Sequence, residues 1–447
     1  MNTESVDVLV IGAGPAGALV ASLLAARQHD VLLLEKAEFP RPDAWGTTLL
    51  PASMAVLDEA GVLRDVVEAG YQHANGLVLD DGDEQLVFDY RDKTKDGWST
   101  GYQLARGDFD EVLVEGARRA GVDVRFCHEV AALDLGPGES RALVRSPDVG
   151  YTVRARWVVD ATGHGRVVPR LSGAPVQQTR SFSRRVAWAR FASRGGAVAA
   201  DLHKSHVSLP SGPSGAVSWV RPLGPWHASV GVMYPAARFA TEVPWEDSTT
   251  ALANFAAVTH RNATWLQDAA CVSPIQSFHL SDYSSVPLVG PGWVAVGHAA
   301  EWADPALSSG LATAIESARL VLRCLDRELA GGAVDWHADY VRPLRNGMEA
   351  FRLHLDALRS PAFRHALQST RWRCTTARMV CAVLAGYAWD LGNPLAGEGA
   401  VERVATLLRA AQSDRDTTSE FTARADEPAA EYAGERLNPR LHDLVEK

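Results

Sequence analysis

The chain lacks long apolar runs, an excess of positive charge, and more than a few cysteines. None of its apolar stretches reaches the ~18 residues that crossing a bilayer requires, so no membrane span is expected. Lysine and arginine number 44 against 54 aspartates and glutamates, a net charge of −10. Such a balance excludes a general nucleic-acid binder and any attraction to an anionic membrane surface. Five cysteines (Cys127, Cys271, Cys324, Cys374 and Cys381) form no CxxC pair. Their odd number and wide spacing lead us to expect reduced thiols in a cytoplasmic protein. The opening MNTES carries no basic region and no cleavage site, so no secretory signal is expected. His203 and His206, three apart on a strand-like stretch, place their rings on opposite faces, and no metal site is expected. What is present is a globular composition, 47% apolar over 447 residues, enough for two or three domains.

The stretch VDVLVIGAGPAGALVASLLAARQHDVLLLEK carries the most information. Val6 to Ile11 is continuously apolar, as a strand buried on both faces must be. Gly12, Gly14 and Gly17 follow as G-x-G-x-x-G, then a helical pattern through Ala26 and a second strand ending at Glu35. Gly12 allows a tight turn, Gly14 lets the backbone approach a pyrophosphate, and Gly17 lets the helix pack close to the sheet. The helix N-terminus, opening with Pro15 and Ala16, offers free N–H groups to phosphate. Glu35 stands where an acid accepts hydrogen bonds from a ribose and disfavours a 2′-phosphate there, which leaves FAD and NAD as dinucleotides.

Further segments follow in order: FPRPDAWGTTLLPAS (39–53), YQLARGDFDEVLVEGARRAGVDVRF (102–126), YTVRARWVVDATGHGR (151–166) and VGHAAEWADPALSSGLATAIESA (296–318). Together with the first stretch they resemble the FAD-binding segments of the flavoprotein monooxygenase, flavin-dependent halogenase and geranylgeranyl-reductase superfamily. The resemblance covers about residues 1 to 330 and implies the fold of para-hydroxybenzoate hydroxylase. That fold is α/β: a Rossmann-type FAD-binding domain, an inserted mixed β-sheet substrate domain and, here, a C-terminal helical region. It implies that Gly12, Gly14, Pro15, Ala16, Gly17 and Glu35 hold the ADP half of FAD, with Lys36 and Arg41 near the adenine end. Thr48, Arg106, Asp160 and Gly163 match further cofactor segments. His298 stands where the family carries an aspartate that bonds the ribityl hydroxyls; imidazole can still bond a hydroxyl but loses the fixed charge. Pro305, Gly310 and Leu311 belong to the D-P-x-x-S-x-G turn, whose following helix, beginning near Ser309, points its N–H groups at the pyrimidine edge of the flavin.

The expected division is an FAD-binding domain over 1–75, 98–180 and 281–330, a substrate sheet over 76–97 and 181–280, a helical cap over 331–410 and a polar tail over 411–447. Residues Gly76 to Tyr90 read as a hairpin around Asp-Gly-Asp. Trp188, Trp219, Trp226, Tyr234 and Trp302 are candidate walls for a flat or greasy substrate.

Among the branches of the superfamily, the phenol and pyrrole halogenases match best in their segments. Those enzymes carry G-E-S-x-L-P, an active-site lysine in a K-x-G-G-like segment, and W-x-W-x-I-P. Here Gly46 to Pro51 reads GTTLLP, Gly70 to Gly76 holds no lysine, and Val217 to Pro222 reads VSWVRP. The missing ammonium weakens the case for guiding a hypohalous acid. We therefore expect a monooxygenase that transfers oxygen from a flavin C4a-hydroperoxide to an aromatic or electron-rich small molecule in natural product metabolism. A divergent halogenase and a dehydrogenase or reductase of an alkene or isoprenoid are the alternatives. His73, the ionisable side chain nearest the missing lysine, is the candidate acid or base, with Trp219 beside it as a candidate catalytic wall. Reducing equivalents come from NAD(P)H, directly or through a separate flavin reductase; a carrier protein bearing the substrate is the other partner considered.

Overall fold

The first strand, β1 (Thr3–Ile11), is exposed at its start and buried over its last four residues. It leads through a tight turn to α1 (Pro15–Ala25) and then to β2 (Val31–Glu35), all five residues of which are buried. Next come α2 (Arg106–Arg119), β3 (Asp123–Phe126) and β4 (Tyr151–Asp160). The last unit is β5 (Trp293–Ala295), two short turns, and α3 (Ser309–Leu329). The strands lie in the order β5-β4-β1-β2-β3, every neighbouring pair parallel. Strands covered by helices on both faces must be apolar throughout, which accounts for the unbroken runs of Val, Leu and Ile. Ser140–Arg145 and Glu129–Asp134 extend this sheet antiparallel beyond β4. Ile11, Glu35, Asp160 and Ala295 end their strands at one edge, the edge at which such sheets bind ligands.

The computed structural model describes residues 2–422 except 42–45, 82–84, 174–175, 178–182, 200, 210–215, 236–249, 251, 253–262, 267, 282, 286 and 303. The Asp-Gly-Asp turn expected within Gly76 to Tyr90 falls mostly outside the described residues; its two flanks, Gly76–Asp80 and Gln85–Asp89, pair antiparallel.

A second sheet runs in the order Ala269–Cys271, Ser183–Ser193, His227–Pro235, Val217–Pro222, Lys204–Ser208, Gly76–Asp80, Gln85–Asp89, with Gln276–Ser281 also on Ser183–Ser193. All its pairs are antiparallel except Lys204–Ser208 with Gly76–Asp80. Alternation sorts its side chains onto two faces. Ala187, Ala189, Val220, Val230 and Val232 share a cluster with Leu266. Val186, Trp188, Val207, Trp219 and Met233 share another with Phe351, Leu355, Phe363 and Leu408 of the C-terminal helices. The face expected to wall a substrate cavity is thus largely filled by Arg342–Arg359, Pro361–Gln368 and Ala400–Thr422.

The last of these helices corrects the boundary expected at residue 410. Val404, Ala405, Leu408 and Ala411 bury one face of it, and a helix so docked propagates through the polar residues that follow, to Thr422. The rest of the expected tail, 423–447, lies outside the described residues.

Gly231 shows how tightly the second sheet is packed. A Cβ there would lie 2.0 Å from Cζ2 of Trp219, whose indole is 1% exposed and lies across the facing strand. Gly231→Ala is expected to lose about 1–3 kcal/mol of stability, measured as a lowered urea midpoint at unchanged slope.

Candidate active site

The turn after β1 is set by close approach. Gly12 has φ +103, its N–H donates to the Leu34 carbonyl at 2.7 Å, and a Cβ on it would sit 2.6 Å from the Ala161 carbonyl oxygen. A Cβ on Gly17 would sit 1.9 Å from the Gly12 carbonyl oxygen. Neither position tolerates a side chain, and together they clamp the first turn of α1 against the end of β4. The N-terminus of α1 has no side-chain cap and no acid in its first turn, so its N–H groups and dipole remain available to an anion.

Glu35 accepts from the Ala13 N–H at 3.0 Å, the Ala37 N–H at 3.0 Å and Arg41 Nη2 at 3.0 Å. A carboxylate has about four acceptor sites, so one direction is left for a ribose hydroxyl. Arg41 leans over Gly14, whose Cβ would be 3.8 Å from its Nη2, and stacks on Phe39. Its buried Nε has no partner among the described residues. An uncapped helix end, a cation above it and an acid at the neighbouring strand end fit a diphosphate joined to a ribose. Lys36, by contrast, is exposed.

Asp160 is buried and turned inward: its carboxylate accepts from the Thr162 N–H and hydroxyl and from the Val168 N–H. Burial raises its pKa and these donors oppose the rise. It shapes the turn carrying Gly163 (φ +58), whose Cβ would lie 3.8 Å from Cβ of His298. Gly297 brings the turn after β5, which carries His298, against α1, within 3.0 Å of the Ala16 methyl for a Cβ built there.

The D-P-x-x-S-x-G turn is held by Asp304, which accepts from the Ala306 N–H at 2.9 Å and pairs with Arg359 at 3.2 Å. Ser308 adopts the left-handed conformation, φ 56, and α3 starts at Ser309 with no side-chain cap. The His298 ring lies against this helix end: a Cβ on Gly310 would come within 2.4 Å of its Nε2. His298 also packs on His164 and Trp302, with centroids 5.4 and 6.3 Å away. Burial, then His164, then Arg106 push its pKa down to about 3, so the imidazole is neutral at physiological pH.

These groups surround a cleft lined by Gly46, Thr47, Arg106, Arg221, His298, Trp302, Pro305, Ser308, Gly310 and Leu311. Arg106 enters it from the start of α2, with Asp110 bound at both oxygens. Gly46 closes it from the side: a Cβ there would strike Ser229 of the second sheet at 2.4 Å, and its N–H donates to the Ser229 hydroxyl.

Several expected residues stand elsewhere. Thr48 points away into a buried polar group with Gln103 at 2.9 Å and Ser205 at 2.8 Å, so its neighbour Thr47 takes the cleft. His73 is exposed, its ring tilted against Tyr102 with centroids 5.1 Å apart, and is not part of the cleft lining. Trp219 is buried in the core, Trp226 is 54% exposed, and Tyr234 belongs to the opposite face of the sheet. Of the aromatic candidates Trp302 lines the cleft. Lys204 brings an ammonium to the lysine-free segment, on Asn75 at 3.2 Å and Asp201 at 2.9 Å, but from the strand face opposite Ser205. Arg221 and His164 went unnoticed in the sequence. Arg221 had a signal: Val217, Trp219 and Arg221 alternate onto one buried face. Among the described residues no three His, Cys, Asp or Glu side chains gather as a metal site, and no helix is long and apolar enough to cross a membrane.

A family model described as FAD binding domain matches residues 5–346. The chain belongs to the FAD binding domain family. This flavoprotein is an FAD-dependent oxidoreductase, like its halogenase, hydroxylase and reductase relatives. A tryptophan 2-halogenase of Chondromyces crocatus is 28% identical over 341 residues, 73% of this chain and 62% of that enzyme. A 1H-pyrrole-2-carbonyl-(peptidyl-carrier protein) brominase of Pseudoalteromonas luteoviolacea is 25% identical over 75% of this chain and 80% of its own. The solved structure of a flavoprotein/dehydrogenase from Cytophaga hutchinsonii superposes with a TM-score of 0.84 at 29% identity, covering 92% of this chain and 100% of that one.

Two outcomes are expected of this flavoprotein. Gly17→Ala should weaken FAD binding at least about tenfold, ~1.4 kcal/mol, read as lost flavin absorbance after gel filtration. The second concerns pH. The unfolded chain protonates His298 below its ordinary value of 6.5, whereas the folded chain resists to about 3, so stability drains away as pH falls through that window. Between pH 6.5 and about 5 the loss from this residue is up to about 2 kcal/mol. Chemical denaturation across that range should show wild type losing more than His298→Gln.

Proposed function

We propose that this flavoprotein is a monooxygenase that places one atom of O₂ on an aromatic or electron-rich small molecule in specialised metabolism. The observation that carries the reading is the charge lining of the cleft. The uncapped N-terminus of α3 and Arg221 present positive potential to it, Arg106 is balanced by Asp110, and the histidine in its lining is neutral. FAD, when bound, supplies the electrons that activate dioxygen, and positive surroundings favour its anionic reduced form.

The chain's own residues then have defined tasks. Arg41 and the first turn of α1 bind the diphosphate, and Glu35 takes a ribose hydroxyl. His298 exchanges a hydrogen bond with a ribityl hydroxyl without adding charge. Trp302 and Leu311, both buried, exclude water from the reacting space. His164 packs on His298 and Trp302 from the solvent side and is exposed and outside the cleft lining, so it holds those two rings in place and carries no proton-transfer role here. His73 has no part in this scheme because it is exposed and outside the cleft. Reducing equivalents come from NAD(P)H, directly or through a separate reductase.

A second reading, halogenation, draws support from the two halogenase relatives, one of which is named for a carrier-bound substrate. Against it stand the lysine-free Gly70 to Gly76 segment and the engagement of Lys204 with Asp201 and Asn75. The dehydrogenase named in the Cytophaga structure supports a third, oxygen-independent reading.

Turnover of candidate phenols and pyrroles, free or carrier-bound, under ¹⁸O₂ with reduced flavin separates the three. One labelled oxygen per product molecule is expected. Product that forms only with added halide, or that forms equally well without oxygen, would overturn the proposal.

A further inference from the structure

Arg221 is 3% exposed, yet it lines the cleft. It stands where the W-x-W-x-I-P pattern carries isoleucine, and its guanidinium lies over the Trp219 ring at 5.1 Å. Its donors reach backbone carbonyls alone: Nη1 to Gly46 at 3.4 Å, Nη2 to Pro305 at 3.2 Å and to Ala306 at 3.4 Å. Its Nε is buried with no partner among the described residues. The surrounding arginines are each matched to an acid: Arg106 to Asp110, Arg41 to Glu35, Arg359 to Asp304, Arg352 to Glu301. Among the described residues Arg221 has no such acid.

A buried cation without a counter-charge costs several kcal/mol. Here the burden is visible in the guanidinium itself, which burial drives down to about 9. The three long carbonyl contacts tie the two walls of the cleft, Gly46 on one side and Pro305 and Ala306 on the other. They do not neutralise the charge. A negative charge brought beside the guanidinium would relieve that cost.

We propose that the reduced flavin ring supplies this negative charge: Arg221 is a charge-bearing residue of the cofactor pocket that raises the reduction potential of bound FAD. The inference rests on the reading of this cleft as the seat of the ring. It assigns the residue two separable effects, holding the turn through hydrogen bonds and supplying a unit charge.

The test compares wild type, Arg221→Lys, Arg221→Gln and Arg221→Met, each loaded with FAD. Two quantities are read, the two-electron reduction potential of the bound flavin and its affinity for sulfite, whose anionic adduct is tightened by nearby positive charge. Arg221→Gln keeps donors for the turn but removes the charge. Arg221→Gln and Arg221→Met should each bind sulfite at least about tenfold more weakly and lower the potential by about 30 mV, the equivalent of tenfold for a two-electron couple. Arg221→Lys should restore most of both. Arg221→Gln is the decisive variant should the methionine change unfold the chain. FAD-loaded Arg221→Gln with wild-type potential and sulfite affinity would overturn this inference alone. Wild type that takes up no FAD would overturn the reading of the pocket as well.

Discussion

Three backbones meet in a space that a single methyl group would fill. The Gly12 turn touches the Ala161 carbonyl on one side and the first turn of α1 at Gly17 on the other. That contact fixes where α1 begins and so where its N-terminal N–H groups point. It also locks the end of β1 to the end of β4, whose Asp160 carboxylate folds back to build the next turn. The chain of close approaches continues from Ala16 to Gly297 and from His298 to Gly310. Through it the start of α1 and the start of α3, about three hundred residues apart in sequence, are brought to the same edge of one sheet. The cofactor region is therefore a consequence of missing side chains as much as of present ones.

Charge inside this region runs opposite to charge on the whole chain. The protein carries −10 overall, while its cleft is lined by two arginines, a helix N-terminus and a neutral histidine. The acids nearby are already engaged. Asp110 is buried against Arg106, with its pKa raised by burial, and Glu35 takes three donors. Net charge governs solubility and long-range attraction. The local field of a dry pocket is set by which charges lack partners.

Much of this was legible in the sequence because it is written in backbone requirements. Glycine spacing, an acid at a strand end and a proline-bearing turn before a helix report local geometry, and α3 does begin at Ser309. What could not be read depends on side-chain direction, which in a strand reverses with each residue. Thr47 and Thr48 were equivalent as letters, but the pleat of their strand gives the cleft to one and a buried polar group to the other. The position of His73 was hidden for the same reason, as it lies exposed on a short edge strand against Tyr102. Trp188 and Trp219 were chosen as walls of a cavity. That they pack against helices from beyond residue 340 is a long-range fact that no local pattern encodes.

Two departures from the family pattern bear on the same quantity. His298 replaces an aspartate, removing one negative charge from the cleft, and Arg221 replaces an isoleucine, adding one positive charge. Each changes the charge by one unit in the same direction. A unit charge about 6 Å from a reacting ring is worth ~3 kcal/mol at an effective dielectric of about 20. A helix terminus contributes about 0.3–1 kcal/mol at an exposed site and up to ~2 kcal/mol when partly buried. In the family pattern the helix end therefore works against an aspartate, whereas here it works alongside Arg221. Arg221 is costly as a buried cation, whereas His298 is neutral and costs stability only as pH falls below its ordinary value of 6.5. A buried guanidinium without an acid, in a chain whose other arginines near that cleft are paired, is what a pocket shaped around an electron-rich ring would show.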